Sequence, residues 1–262
     1  MHPVLLKLGP FSIYTYGFFI AMGFIAGILL AKREAMRLGE DPERIMDLSF
    51  YVLIAAIVGS RLFYIFINPD IFLSDILESF RIWNGGLVFY GGFIAALIVG
   101  LVYVKIKKMP LWRTTDIAAL SLALGQFFGR LGCFSAGCCY GKACNFSWGV
   151  TFTNLDTLAP VGIPLHPTQL YHAAGNLLIF VILWFFRRRK KFDGQLFWLY
   201  VILYVITRSF IEIFRGDFRG EPVFGVLSVA QAIGIIMVPA AIIMMIILRK
   251  QGGRPCKIHI KN

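Results

Sequence analysis

LSFYVLIAAIVGSRLFYIFIN, Leu48 to Asn68, is a continuous apolar run in which Arg61 is the only charge. Roughly 20 residues rising 1.5 Å each cross about 30 Å of hydrocarbon, so the segment predicts a membrane-spanning helix. Six more segments of similar length repeat the pattern: Phe11 to Ala31, Gly86 to Ile106, Thr115 to Phe134, Thr168 to Phe186, Gln195 to Phe214 and Val226 to Leu248. The whole chain agrees with this reading. Of its 262 residues 58% are hydrophobic and 15% charged, with a mean hydropathy of +0.74, whereas soluble domains are about 45–50% apolar and about 25% charged. The expected fold is an all-α polytopic membrane protein, one transmembrane domain of seven helices over residues 1–262. The first segment lacks a small-residue cleavage pattern and is expected to be a retained helix, not a signal peptide.

The net charge of +12 then acts as an orientation signal, because cytoplasmic loops of membrane proteins collect Lys and Arg. Eighteen basic residues fall in segments 32–47, 105–114, 187–194 and 249–262, against five in the alternate segments 1–10, 69–85, 135–167 and 215–225. This division places the N-terminus outside, the C-terminus in the cytoplasm and the loop 135–167 on the extracytoplasmic side. The run RRRKK, Arg187 to Lys191, is expected to anchor this topology beside anionic lipid. With the basic excess so explained, nucleic acid is not an expected partner.

Three arginines remain inside apolar segments: Arg61, Arg130 and Arg208. A charge near the membrane centre costs at least ~2.5–3.5 kcal/mol, which makes each a candidate for function. Helical rise places them about 10, 6 and 9 Å below the outer ends of their spans, and the phenols of Tyr16 and Tyr90 fall about 8 and 6 Å deep. In the sixth span Tyr204, Arg208 and Glu212 are four apart and Arg215 follows by three, so all four share one helical face. Glu212 can orient Arg208 or Arg215. A guanidinium presents paired donors that match phosphate oxygens, so this layer suits the anionic headgroup of a membrane lipid. Snorkelling of each arginine to the surface, or pairing with a carboxylate, is the structural alternative. Asp116, at the inner end of the fourth span, is expected to cap or to bridge helices.

Glycines concentrate in GGLVFYGG, Gly85 to Gly92, and at Gly125, Gly129, Gly132, Gly137 and Gly141. Close helix packing and a helix break that brings backbone to a ligand both fit. Four cysteines, Cys133, Cys138, Cys139 and Cys144, lie in GCFSAGCCYGKACN. The spacing lacks the paired CxxC of a tetrathiolate centre, so a structural role as disulfides or thiols is expected, with neither metal nor cofactor. A membrane thiol–disulfide protein built on this cluster is the alternative function.

Taken in order, Tyr16-Gly17, GSRLFY around Arg61, GGLVFYGG, GRLGCF (Gly129 to Phe134), HPTQLY (His166 to Tyr171) and YVITRSFIEIFRGD (Tyr204 to Asp217) resemble the prolipoprotein diacylglyceryl transferases, nearly end to end. The resemblance implies a multi-pass enzyme of the bacterial inner membrane. It would move the diacylglyceryl group of phosphatidylglycerol to the lipobox cysteine of a preprolipoprotein signal peptide, forming a thioether and releasing glycerol phosphate. It also implies Arg130 and Arg208 as essential arginines, with Tyr16, Arg61, Tyr204, Glu212 and Arg215 at the lipid. The chain departs from the family pattern GRxGNFxNxE: Cys133 and Ala136 stand at the asparagines and Cys138 at the acidic position. Tyr90 stands where the family has a histidine proposed as catalytic base. Tyr90 and His166 are therefore the two candidates to deprotonate the acceptor thiol, His166 also being placed to act as a helix-start cap.

Overall fold

An apolar helix satisfies its own backbone in lipid, and seven helices long and apolar enough to cross a membrane occur among the described residues. These are residues 3–8, 11–70, 85–217 and 228–251 of a computed structural model. In chain order the elements are β1 (Val4–Leu8), β2 (Phe11–Tyr14), α1 (Thr15–Leu38), α2 (Pro42–Ile67), α3 (Phe89–Ile106), α4 (Leu111–Ala136), β3 (Val150–Thr151), β4 (Pro164–Leu165), α5 (Thr168–Phe186), α6 (Gln195–Glu212) and α7 (Val229–Gln251).

All seven expected spans correspond to helices, with shifted ends. The first does not begin at Phe11. Phe11–Tyr14 form a strand antiparallel to Val4–Leu8, and the helix runs from Thr15 to Leu38. Hydropathy scores apolar side chains regardless of backbone, and a paired hairpin satisfies main-chain groups as a helix does. The second helix begins earlier than the apolar run, at Pro42: Asp41 Oδ1 accepts from Glu43 N at 2.9 Å, and proline occupies the first turn. Caps, not grease, set that boundary. The third begins at Phe89, after Gly85 and Gly86 with φ of +88° and +72°. The fourth is longer than expected and the sixth ends at Glu212; residues 226 and 227 of the last expected span lie outside the described residues, as do residues 71–84 and Cys256.

The chain forms two units, one of residues 31–114 and one of residues 1–30 and 115–262. In the first, α2 and α3 pack through glycine. A Cβ on Gly92 would lie 2.7 Å from the Ala56 carbonyl oxygen, and one on Gly91 would lie 2.5 Å from that of Gly59 and against the Phe63 side chain. The close-packing reading of GGLVFYGG thus holds at Gly91–Gly92, while Gly85–Gly86 take left-handed φ ahead of the helix. Gly91→Ala should lower thermal stability in detergent by about 1–3 kcal/mol, because the obstructing atoms are the Gly59 carbonyl oxygen and the Phe63 Cβ, which the backbone holds in place. Gly100→Ala, whose Cβ would meet only Val52 at 3.6 Å, should leave the unfolding midpoint unmoved; equal effects would discount the packing argument.

In the second unit Leu30 of α1, Ala119, Leu120 and Ala123 of α4, Ile179 and Leu183 of α5, and Leu196 and Tyr200 of α6 make one buried core. Polar bonds reinforce it: Ser121 Oγ donates to Gly27 O at 2.8 Å. Asp116 caps as expected. It is fully buried and accepts from Gly194 N (2.9 Å), Phe197 N (3.0 Å) and Lys190 Nζ (2.9 Å), closing the start of α6. The basic run also has structural work within the fold: Lys190 pairs with Asp116, and the buried Arg187 stacks its guanidinium 3.1 Å from the Trp184 ring centre. Beyond α4, β3 pairs with β4, and Phe152, Ala159 and Leu165 form a small core within the loop.

Candidate active site

One end of the larger unit gathers a second group of polar residues. Arg208 and Glu212, one turn apart on α6, form an ion pair. Arg208 Nη1 also lies 3.2 Å from His172 Nε2 on α5, so the guanidinium is held from two helices. Arg215, 6% exposed, is clamped by Asp217 through Nε at 2.9 Å and Nη2 at 2.6 Å, with Glu212 Oε2 3.9 Å from its Nε. Arg130 of α4 is half-buried and within electrostatic reach of Tyr16, Cys133 and His172. Tyr16, at the start of α1, is exposed and faces Gly132, where a Cβ would lie 3.2 Å from its ring. Tyr204 stacks on Tyr200, ring centres 5.8 Å apart.

The loop after α4 is locked to both helices that follow it. Gly141 N donates to His166 O at 3.0 Å, Lys142 N to Phe214 O at 2.9 Å, and Gly216 N to Tyr140 O at 3.2 Å. Gly141 has no room for a side chain, since a Cβ would sit 2.6 Å from His166 O and 2.8 Å from Phe214 O. His166 belongs to this lock: its Nδ1 is 3.2 Å from Tyr171 Oη, which accepts from Trp148 Nε1 at 3.1 Å, and its ring packs against Phe146 and Phe214. That is a structural setting.

Cys133, Cys138, Cys139 and Cys144 are all thiols, so the disulfide form of the structural reading is not what the fold contains. The sulfurs of Cys133, Cys138 and Cys139 lie within 4.8 Å of one another; the linear spacing that argued against a cluster does not survive folding. Hydrogen bonds from Cys133 and Cys138 push the Cys139 thiol well below its ordinary pKa, and the Arg215 guanidinium adds to the effect.

Arg61 and Tyr90 belong to the other unit. There Arg61, 5% exposed, donates Nη1 to Gly85 O at 2.7 Å and approaches Gly86 O at 3.4 Å. It fastens the glycine turn ahead of α3. Tyr90 is exposed. Sequence reasoning missed His172 altogether. Thr168, His172 and Asn176 are buried and four apart on α5, a polar stripe along one helical face within a segment read only for its hydrophobicity.

The sequence model of the family described as prolipoprotein diacylglyceryl transferase matches residues 3–247. Among curated proteins the chain is similar to one from Clostridium tetani named phosphatidylglycerol–prolipoprotein diacylglyceryl transferase, 38% identical over 246 residues, covering 91% of this chain and 94% of that protein. Proteins of the same name from Oceanobacillus iheyensis (35%, covering 94% and 88%) and Finegoldia magna (35%, covering 96% and 97%) are similar over comparable lengths. None of these matches supports the thiol–disulfide alternative.

Proposed function

The chain belongs to the prolipoprotein diacylglyceryl transferase family, and on that premise we propose that it transfers the diacylglyceryl group of phosphatidylglycerol to the cysteine thiol of preprolipoproteins, as a multi-pass enzyme of the bacterial inner membrane. The reaction is alkyl transfer: a thiolate attacks the glyceryl carbon, and glycerol phosphate leaves with the electron pair of the broken C–O bond. Its main demand is stabilisation of the phosphate that departs.

One observation carries the assignment of the site. Arg208, in an apolar span, is held by Glu212 on its own helix and His172 on the next. Cationic donors fixed before the reaction, aimed where charge develops, supply the largest catalytic effect in many enzymes. Arg130 is the second cation at this face of the unit, with Tyr16 and Tyr204 lining the lipid beside it. Arg215, tied to Asp217, positions the loop and Glu212. Arg61 acts on the glycine turn, and His166, engaged with Tyr171 and its aromatic neighbours, holds the loop.

Purified protein in phosphatidylglycerol vesicles should raise the mass of a lipobox peptide by one diacylglyceryl group. A peptide left unmodified by folded protein would refute the activity.

The division of basic residues supports an external N-terminus and loop 135–167 with a cytoplasmic C-terminus. Leu155 is 87% exposed, so Leu155→Cys should add labelling by an impermeant maleimide in intact cells, above that of the parent protein. Arg188→Cys should add labelling only after lysis. The reverse pattern would invert the topology.

A further inference from the structure

Cys133 lies in the last turn of α4, three residues after Arg130, so the two share one helical face. Cys138 and Cys139 follow in the loop, and all three sulfurs lie within 4.8 Å of one another. A tetrahedral zinc ion with Zn–S bonds of about 2.3 Å sets its sulfurs about 3.8 Å apart, so a small closure makes these thiols a ligand set. The backbone is built to present them. Gly137 and Cys139 both hold left-handed conformations, with φ of +76° and +61°. For a residue with a Cβ this costs of order 1–3 kcal/mol and persists only where surrounding structure enforces it. That enforcement is visible: Thr168 Oγ1 donates to Cys139 O at 2.7 Å and Gln169 Nε2 to Cys138 O at 2.8 Å, both side chains fully buried. The fourth cysteine, Cys144, is not in the group, which leaves a tetrahedral ion one open position.

We propose that Cys133, Cys138 and Cys139 bind a thiophilic divalent cation of the zinc class, and that its fourth position takes the thiol of the acceptor cysteine. The proposal rests on the transfer reading above and names how the acceptor is activated. Three protein ligands and an open position are the arrangement of catalytic rather than structural zinc, and a coordinated thiol is deprotonated outright. On binding, the acceptor S–H bond breaks, its proton passes to water, and a metal–sulfur bond forms. A sulfur electron pair then makes the S–C bond to the glyceryl carbon as the C–O bond to phosphate breaks, and that pair leaves on the phosphate oxygen. The thioether formed is neutral and a weaker ligand, so it departs; no oxidation state changes. Arg215 bonds to Cys139 and offsets the anionic charge of the sulfur shell. Arg130 places the donor phosphate beside the activated sulfur, one turn away on the same helix.

The full-length protein, purified in detergent under reductant, would be stripped with a chelator and reloaded with Zn2+ or Co2+. About one ion per chain is expected, lost in Cys133→Ser, Cys138→Ser and Cys139→Ser and kept in Cys144→Ser. The cobalt protein should show thiolate charge-transfer absorption that changes when a lipobox peptide is added, but not with the same peptide carrying serine for cysteine. Stripping should slow transfer at pH 7 by about 30-fold, the ratio of a full to a few-per-cent thiolate population for a thiol of pKa ~8.5. Wild-type protein that binds no stoichiometric ion, a cobalt spectrum indifferent to the peptide thiol, or stripped protein of undiminished rate would each overturn the proposal while leaving the transfer reading intact. Ion binding and a thiol-dependent spectrum without transfer from phosphatidylglycerol would instead support the metal site and sink the transfer reading.

Discussion

Arg208→Lys should cut diacylglyceryl transfer by about 10²–10³, the equivalent of ~2.7–4 kcal/mol for one donor lost from a preorganised site, although the positive charge is retained. The guanidinium meets Glu212 on one side and lies 3.2 Å from His172 Nε2 on another, so its plane is fixed before a phosphate arrives. An ammonium is a compact point donor and cannot keep a planar pairing with phosphate while it spans those two partners. Arg130→Lys should behave alike, because both cations are asked to meet the same leaving phosphate. The control is Arg188→Lys, an exposed member of the basic run, where only charge and sidedness count and the rate should hold. Arg187 would be a poor control, being buried on Trp184. Turnover of a lipobox peptide at matched amounts of folded protein decides the matter: near-normal rates for both intramembrane lysine variants would move the phosphatidylglycerol site elsewhere.

Asp116→Ala should lower stability by about 3–5 kcal/mol, the usual effect of removing one partner from a buried ion pair. Three donors converge on this carboxylate, two of them main-chain N–H groups at the start of α6 that have no intrahelical acceptor. Alanine leaves those groups and the Lys190 ammonium facing an apolar methyl. Asp116→Asn should cost less, since it keeps the shape and one accepting oxygen. Asp193 also touches Lys190, at 3.0 Å, but its side chain is 38% exposed, so Asp193→Ala should cost no more than about 1 kcal/mol. Thermal unfolding in detergent compares the three. A ranking with Asp193→Ala at or above Asp116→Ala would show that the helix-start bonds contribute little.

The sequence by itself determined the class of fold, the existence of seven spans and the pairing within α6. Each of these is local: twenty apolar residues suffice to cross a bilayer, and residues four apart on a helix are neighbours whatever surrounds them, as Arg208 and Glu212 are. Tyr204 to Asp217, read alone, already held most of one wall of the candidate site. The role of Asp116 was legible for the same reason, because a lone carboxylate at the end of an apolar span has few uses besides capping.

What only the tertiary structure decided is which faces and loops meet. Arg61 read as a lipid ligand, and no sequence interval related it to the carbonyls of Gly85 and Gly86 to which it bonds, on glycines that take positive φ. His172 was invisible as a partner of Arg208 because no sequence interval relates one helix face to another. The cysteines make the same point. A spacing rule treats Cys133 and Cys138 as too far apart in the chain, whereas left-handed turns at Gly137 and Cys139, pinned by Thr168 and Gln169, fold the loop back until three sulfurs converge. Periodicity encodes the surface of a single element; the meeting of surfaces depends on close packing and on backbone conformations fixed by residues from distant parts of the chain.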